Sequence, residues 1–319
     1  MTMPAPPPPT AVPAGPAAAI EVAKVSKWYG NVVAVNDISF TLGAGITGLL
    51  GPNGAGKSTM LHMLSGFLRP SAGSVRVLGQ SAWKNPAIYA QVGLVPEREA
   101  VYPFLTGWEF VRLSARLQGL PDPDAAARRA IAEVDLASAQ DRPTGGYSKG
   151  MKQRVKIAAA IVHDPRILVL DEPFNGADPR QRLHMMAMLR RMAAEGRTIV
   201  FSSHILEEVE RLAEDVLVIV SGRLAASGDF REIRRLMIDR PHTFNVRSSD
   251  NRRLAAVLVG VPAVTGVDLE DTRLSVRSSD FGALTRALAP LAREAGVSLF
   301  EVLPADESLE SVFSYLVKR

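Results

Sequence analysis

The sequence predicts an α/β protein with a main domain built on a largely parallel sheet and a smaller C-terminal α/β domain. Three observations indicate this class. Short β-rich segments alternate with helical ones from residue 20 onward, two fully apolar runs end in acidic or polar residues, and the pattern changes after Arg240-Pro241. At 319 residues, the chain is long enough for one substantial core and a second, smaller one.

Residues 1–19 are predicted to be a disordered tail, because Pro and Ala dominate them and too little apolar surface can be buried to offset the entropy of ordering. The main domain is predicted to span residues 20–240. Its predicted elements are strands at Ile46–Leu50, Ser74–Leu78, Val92–Val95, Ile167–Leu170 and Thr198–Ser202, and helices from Ser58 and at Thr106–Leu117, Asp124–Ala137 and Met151–Val162. The last two strands are apolar throughout, which is typical of strands buried on both faces of a parallel sheet. Active-site groups are expected where such strands end.

Residues 241–319 are predicted to form the second domain, a small α/β plait. The predicted strands are Thr243–Val246, Val264–Leu269, Leu274–Val276 and Val297–Leu303, and the predicted helices lie near Leu254–Leu258 and at Phe281–Ala295 and Leu309–Val317. Their order along the chain is βαββαβα.

The composition excludes several classes of function. No apolar run approaches the roughly 20 residues needed to cross a bilayer, so any membrane work is expected to need a partner. The N-terminus lacks the pattern of a secretory signal, which predicts a protein that stays inside the cell. The chain has no cysteine, so disulfide frameworks and thiolate chemistry are excluded. The formal charge is +4, but Lys and Arg are scattered, which is typical of a solvated surface, and no nucleic-acid partner is expected.

A phosphate-binding loop is predicted directly after the strand Ile46–Leu50 and at the start of a helix. The segment matches the pattern G-x-x-x-x-G-K-[ST] and consists of Gly51, Pro52, Asn53, Gly54, Ala55, Gly56, Lys57, Ser58 and Thr59. In such a loop, glycines let backbone N–H groups turn toward phosphate oxygens, and the helix N-terminus adds partial positive charge. Lys57 is expected to reach the terminal phosphates, and Ser58 to bind Mg²⁺. A plain glycine turn before a helix is the alternative, and the matching flanks argue against it.

An acidic pair ends the apolar strand at Ile167–Leu170. Asp171 is expected to hold Mg²⁺ through a water, and Glu172 to orient and polarise the attacking water. Taken alone, such a pair is as often a helix cap or a surface turn. Its occurrence together with the phosphate loop favours the catalytic interpretation.

The segment Tyr-Ser-Lys-Gly-Met at 147–151 lies between the phosphate loop and the acidic strand and opens a helix. It resembles the signature of the ATP-binding cassette family, usually Leu-Ser-Gly-Gly-Gln. Further matches follow in the family's order: Tyr29, the loop 175–178 and His204. The resemblance covers about residues 20–230 and implies a P-loop cassette with a mixed-sheet core and a helical subdomain. The segment 304–318 is similar to the tail of bacterial ABC-2 type and drug-export cassettes.

This resemblance implies ATP and Mg²⁺ as ligands, with Tyr29 stacking on adenine and His204 contacting the γ-phosphate. Ser148, Lys149 and exposed Gly150 amides at a helix N-terminus are expected to form a second anion site. In the family, this site closes on the ATP of a second subunit, which implies a head-to-tail homodimer with Asp178 linking the two sites. A separate transmembrane permease is the other implied partner. The chain would then lie in the cytoplasm, on the inner face of the bacterial membrane, as the ATPase of an exporter.

Two departures from the family pattern are present. Lys149 and Tyr147 replace the usual Gly and Leu of the signature, and the anion site is expected to survive them. Glu97 stands where the family usually has glutamine, at the end of a strand; a carboxylate there would still be a Mg²⁺ ligand. The alternative functions are a non-transport cassette ATPase acting on ribosomes or DNA, and a small-molecule kinase. The remaining histidines, His163 among them, are expected to have packing or surface roles.

Overall fold

The computed structural model describes residues 18–98, 101–229, 233, 242–270 and 272–304. The chain divides into two compact units, Met1–Ile46 with Ser58–Phe201, and Thr47–Lys57 with Ser202–Arg319. The boundary predicted between residues 240 and 241 involves residues outside the described ranges, as does most of the predicted tail at 1–19. The predicted domain limits therefore stay a prediction.

Two sheets organise the chain up to residue 229. One has four antiparallel strands in the order β2-β1-β4-β5, and the other has six in the order β10-β9-β3-β8-β7-β6. The strands are β1 (Ile20–Tyr29), β2 (Val32–Leu42), β3 (Gly45–Leu50), β4 (Ala72–Val77), β5 (Gln80–Ser81), β6 (Val92–Val95), β7 (Ile167–Asp171), β8 (Thr198–Ser202), β9 (Asp215–Val220) and β10 (Arg223–Gly228). Strands β3 and β9 are parallel, as are β6 and β7, while β10 is antiparallel to β9. All residues of β7 and β8 are buried, as their apolar sequences predict.

Six α-helices accompany these sheets among the residues that the structure describes. They are α1 (Lys57–Leu64), α2 (Gly107–Leu117), α3 (Pro123–Glu133), α4 (Lys149–Ile161), α5 (Pro179–Ala194) and α6 (Leu206–Leu212). The predicted α/β class with a mixed sheet and a helical region is confirmed. None of the described helices is long and apolar enough to cross a membrane.

Side-chain caps decide where several of these helices begin. Thr106 and Glu109 form a reciprocal capping box at the start of α2, and the backbone hydrogen bond from Thr106 lowers the pKa of the Glu109 carboxyl. Asp122 caps α3 by accepting from the backbone N–H of Ala125 at 2.9 Å. The predicted helix Asp124–Ala137 was therefore wrong at both ends. It begins earlier, and it ends four residues sooner, before Asp135 adopts a left-handed φ of +54°.

The described residues between 242 and 304 form a four-stranded antiparallel sheet with two α-helices. The elements are β11 (His242–Ser248), α7 (Asn251–Leu258), β12 (Val264–Leu269), β13 (Leu274–Ser278), α8 (Phe281–Glu294) and β14 (Leu299–Pro304). The sheet order is β12-β13-β11-β14, over a core that includes Phe244, Val276 and Leu284. This is the predicted βαββαβ order. The final helix predicted at 309–317, and nearly all of the tail-like segment 304–318, lie outside the described residues.

Candidate nucleotide site

The predicted phosphate loop connects β3 to α1. Gly51 is buried, and a Cβ added there would lie 2.3 Å from the carbonyl oxygen of Ile219 on β9, so a larger residue would force the backbone to move. Gly54 has a φ of +78°, which L side chains rarely adopt. The Ala55 carbonyl accepts from the backbone N–H of Gly222 at 3.1 Å, which ties the loop to the β9–β10 turn. These contacts require glycine at two of the motif's positions.

Lys57 is held over its own loop. Its Nζ donates to the carbonyl oxygens of Gly51 at 2.7 Å and Pro52 at 3.2 Å. Ser58 and Thr59 follow in the first turn of α1, and both are partly buried. A fixed ammonium beside the positive end of a helix is a setting that favours an anion.

The acidic pair lies where β7 ends. Asp171 is the last residue of the strand and is only 3% exposed. Glu172 follows with a φ of +50°, a left-handed conformation that costs roughly 1–2 kcal/mol for a residue with a Cβ. Gln153 of α4 donates from Nε2 to the Glu172 carbonyl oxygen at 3.2 Å. Strained backbone of this kind persists where surrounding contacts hold it, and it is often found at functional sites.

Glu97 lies in the segment that follows β6, the parallel neighbour of β7. Its side chain is exposed. Lys156 of α4 donates from Nζ to the carbonyl oxygens of Pro96 at 2.7 Å and Arg98 at 3.0 Å, with a longer contact of 3.4 Å to that of Glu97. Lys156 is only 5% exposed. Sequence reasoning missed this residue, although a lysine inside the apolar stretch of a helix was a signal.

The signature segment begins helix α4. Ser148 is the N-cap residue, and its Oγ accepts from the backbone N–H of Met151 at 3.2 Å, so α4 starts two residues before the predicted Met151. Ser148 and Lys149 are exposed, but Gly150 is buried. A Cβ on Gly150 would lie 2.8 Å from the Gly176 carbonyl oxygen. The expectation of exposed Gly150 amides was therefore wrong, because the loop 175–178 packs against this residue.

Tyr147 anchors the turn that leads into α4. Its hydroxyl donates to the Ala139 carbonyl oxygen at 2.7 Å, and burial raises the pKa of the phenol. A Cβ on Gly107 would lie 2.2 Å from Tyr147 Oη, so the glycine that starts α2 makes room for the ring's hydroxyl. The tyrosine thus has a structural reason at a position where the family usually has leucine.

Three further predicted residues lie at the ends of elements. Tyr29 ends β1, is 49% exposed, and has the Lys27 Nζ 5.2 Å from its ring centroid. Asp178 caps α5 by accepting from the backbone N–H of Gln181 at 2.8 Å. His204 is exposed after β8, where the neighbouring Ser203 donates to buried Glu208 at 2.5 Å.

The donor chemistry fits the ligands that the sequence predicts. A fixed ammonium and a glycine loop at a helix N-terminus suit the phosphates of a nucleoside triphosphate. Across the described ranges there is no group of three or more His, Asp or Glu side chains that could hold a metal ion. Mg²⁺ in phosphoryl-transfer sites commonly binds one or two carboxylates together with phosphate oxygens. The side-chain oxygens of Ser58, Asp171 and Glu97 are ligands of the type that Mg²⁺ binds.

Comparison with known proteins gives several matches. The family model described as ABC transporter matches residues 35–175. A bacitracin transport ATP-binding protein of Enterococcus faecalis is 34% identical over 93% of this chain and 96% of its own length. A daunorubicin/doxorubicin resistance ATP-binding protein of Streptomyces peucetius is 36% identical over 87% and 86%, respectively. An uncharacterised ABC transporter ATP-binding protein of Nostoc is 41% identical over 63% of this chain, which spans 62% of that relative.

Solved structures share the fold. The ATP-binding subunit of an ABC transporter matches with a TM-score of 0.63 and 31% identity, over 68% of this chain and 92% of that one. A dimeric bacterial ABC transporter cassette matches with a TM-score of 0.62 over 66% of this chain and 98% of that one. At 22% identity, the second match concerns the fold alone.

Proposed function

The chain belongs to the ABC transporter family as one of its ATP-hydrolysing subunits, and on this premise we propose that it powers export of a compound through a separate membrane permease. One observation carries the proposal. The chain aligns with nearly the full length of a relative named for bacitracin transport, and a second long relative is named for drug resistance. Removal of a compound from the cell is the direction of transport that gives resistance.

In the proposed reaction, residues 51–59 hold the phosphates of ATP and Tyr29 stacks on the adenine. Lys57 neutralises charge on the terminal phosphates. Mg²⁺, when bound by Ser58, Asp171 and Glu97, supplies further charge neutralisation during phosphoryl transfer. Glu172 accepts a hydrogen bond from the attacking water and aligns it for in-line displacement. His204 donates to the γ-phosphate.

The proposed active form is a head-to-tail dimer of two identical chains. Ser148 and Lys149 lie exposed at the N-terminus of α4, where partial positive charge and a lysine suit an anion on another molecule. Gly150 contributes to this end of the helix from its buried position, and Asp178 links the two sites. A cassette of the same fold is dimeric, so the fold itself is able to form a dimer.

The segment from Glu97 to Trp108 is the proposed contact with the permease. Glu97 and Arg98 are exposed, and so are the apolar side chains of Tyr102 and Phe104, the latter at 75%. Exposed aromatic residues are enriched at protein interfaces. The chain would then sit in the cytoplasm against the inner face of the bacterial membrane, with motion of this segment transmitted to the permease.

Replacing Ser148 tests the shared-site model. Ser148→Arg places a bulky side chain at the exposed tip of α4, so it is expected to leave ATP binding to the monomer intact while abolishing the ATP-induced dimer and turnover. The matched control is Asp122→Arg, which removes the cap of α3 away from the site. Light scattering with ATP, equilibrium nucleotide binding and phosphate release are the measurements. Full turnover by Ser148→Arg, or by a strictly monomeric wild type, would overturn the model.

A further inference from the structure

Helix α4 sends two buried side chains to the backbone of two different loops. Gln153 and Lys156 are one helical turn apart, and both are about 5% exposed. Gln153 reaches the loop after β7 and Lys156 reaches the segment after β6. Since β6 and β7 are parallel neighbours with Val95 opposite Leu170, both loops leave the sheet at the same edge.

Lys156 is a buried lysine whose ammonium is hydrogen-bonded to the backbone. A lysine is rarely buried unless its charge is paired or hydrogen-bonded, because desolvating an ammonium is costly. Here two short hydrogen bonds and one longer contact go to three consecutive carbonyl oxygens, those of Pro96, Glu97 and Arg98. Hydrogen bonds with a charged donor are about twice as strong as neutral ones. Lys156 therefore fixes the path of the backbone that carries Glu97.

The Gln153 contact falls on a strained residue. Glu172 has a left-handed φ of +50°, and its carbonyl oxygen is the acceptor of the Gln153 amide. A conformation of this kind must be maintained by its surroundings. Glu172 is the residue that is proposed to align the attacking water. Its backbone is thus held by α4, the helix that Ser148 caps.

We propose that Gln153 and Lys156 are positioning residues that make α4 a clamp on the loops after β6 and β7, so that its Ser148 end and the segments of Glu97 and Glu172 move as one body. This inference rests on the proposed function for the roles of Ser148, Glu97 and Glu172. It adds a physical link between the exposed helix tip and two groups that are expected to act on ATP. Neither Gln153 nor Lys156 touches the reacting atoms in this scheme.

Removing the Lys156 ammonium, with a neighbouring residue as control, tests the clamp. Lys156→Met keeps a long apolar stem and removes the donors. The matched control is Arg154→Met: Arg154 is also buried on α4, but its guanidinium donates to the carbonyl oxygens of Val134 and Asp135, which lie outside residues 94–98. Amide hydrogen exchange of the full chain without nucleotide or metal is the first measurement. Lys156→Met is expected to speed exchange in residues 94–98 about tenfold, and Arg154→Met only around residue 135.

Steady-state kinetics is the second measurement. Lys156→Met is expected to lower kcat about tenfold and to raise the Mg²⁺ concentration for half-maximal rate, with the KM for ATP nearly unchanged, because positioning residues act on the aligned state. Arg154→Met should leave the Mg²⁺ dependence unchanged. Lys156→Gln, which retains a shorter amide donor, is the variant to use if Lys156→Met does not fold, with smaller shifts in the same directions.

Two results would overturn the clamp. Unchanged exchange at 94–98 in the Lys156 variants would show that the lysine does not hold this segment. Faster exchange with unchanged kcat and Mg²⁺ dependence would reduce its role to fold stability. Both results leave the proposed function standing, because that function is tested separately by the Ser148, Lys57 and Glu172 variants.

Discussion

The loop after β3 and the loops after β6 and β7 are held by different means. The phosphate loop is held mainly by backbone groups: Gly51 fits closely against the Ile219 carbonyl oxygen of β9, and the Lys57 ammonium donates to carbonyl oxygens five and six residues earlier in the chain. The other two loops are held by side chains from α4, over separations of 19 and 58 to 60 residues. The phosphate loop can be recognised from its short motif. The contacts that hold the other two loops cannot, because they come from side chains far away in the sequence.

The difference also concerns what each region can do. A loop held by backbone groups can present a constant binding surface, because no mobile side chain is needed to keep its shape. Loops tied to a helix can change with that helix, since the Gln153 and Lys156 bonds transmit its displacement. We therefore expect substitutions in the first region to affect binding, and those in the second to affect turnover.

The largest expected effect is on turnover, and it comes from the loop after β7. Glu172→Gln removes the carboxylate that is proposed to polarise water, so turnover should fall by at least about a hundredfold, while ATP binding is retained. The stable ATP-bound state should appear as a persistent dimer in light scattering. Glu195→Gln, which changes an exposed carboxylate in an ion pair with Arg197, is the control. Near-normal phosphate release by Glu172→Gln would contradict the assignment.

The second-largest expected effect is on ATP binding, and it comes from the phosphate loop. Lys57→Ala removes a fixed ammonium, and a charge-assisted contact of this type contributes about 1.5–3 kcal/mol, so ATP affinity should drop about tenfold or more. Equilibrium titration with a fluorescent nucleotide measures it. Arg129→Ala removes an exposed cation from α3 and should leave the affinity unchanged. If Lys57→Ala lowered kcat alone, the division between the two regions would fail.

A smaller effect on stability should come from the shape of the phosphate loop. Gly51→Ala brings a Cβ to 2.3 Å from the Ile219 carbonyl oxygen, and the backbone shift that follows should cost about 1–3 kcal/mol. Gly43→Ala is the control, because a Cβ there would meet nothing within 4 Å. Urea unfolding of both variants gives the comparison. Equal midpoints would mean that the loop is less rigid than its contacts indicate.

The smallest expected effect is a pH dependence of stability that arises near the loop after β6. His163 lines a cavity of about 350 Å³ together with Lys156 and Pro96, and burial lowers its pKa from the ordinary 6.5. The unfolded chain therefore binds more protons, so this histidine's contribution to stability is present above pH 6.5 and is lost as the pH falls below it. The slope should be a fraction of the about 1.4 kcal/mol per pH unit that one proton can supply.

The His163 prediction is checked by comparing unfolding free energies at pH 7.5 and 5.5 for the wild type and His163→Gln. The variant should lose less stability on acidification. His184→Gln is the control, because His184 contacts the Glu133 carbonyl oxygen from an exposed position. An identical loss in wild type and His163→Gln would show that other groups account for the acid sensitivity.

Much of the fold was readable because its signals are local. The phosphate motif, the acidic pair and the apolar strands β7 and β8 each occupy fewer than ten consecutive residues, and the alternation after residue 242 predicts the C-terminal βαββαβ order. Helix ends were less predictable: the end of α3 depends on a left-handed Asp135, a conformation that its sequence does not require. The antiparallel sheet of β1, β2, β4 and β5 was not predicted, because its strands carry irregular burial patterns and bulges.

By itself, the sequence predicted which residues hold phosphate and which polarise water, since these predictions depend on residue type, short spacing and the element that precedes them. The tertiary structure alone decided that Gly150 is covered by the loop 175–178, and that Lys156 and Gln153 hold the backbone near Glu97 and Glu172. These contacts join residues that only the folded chain brings together. Neither periodicity nor a motif encodes the direction in which a buried side chain points.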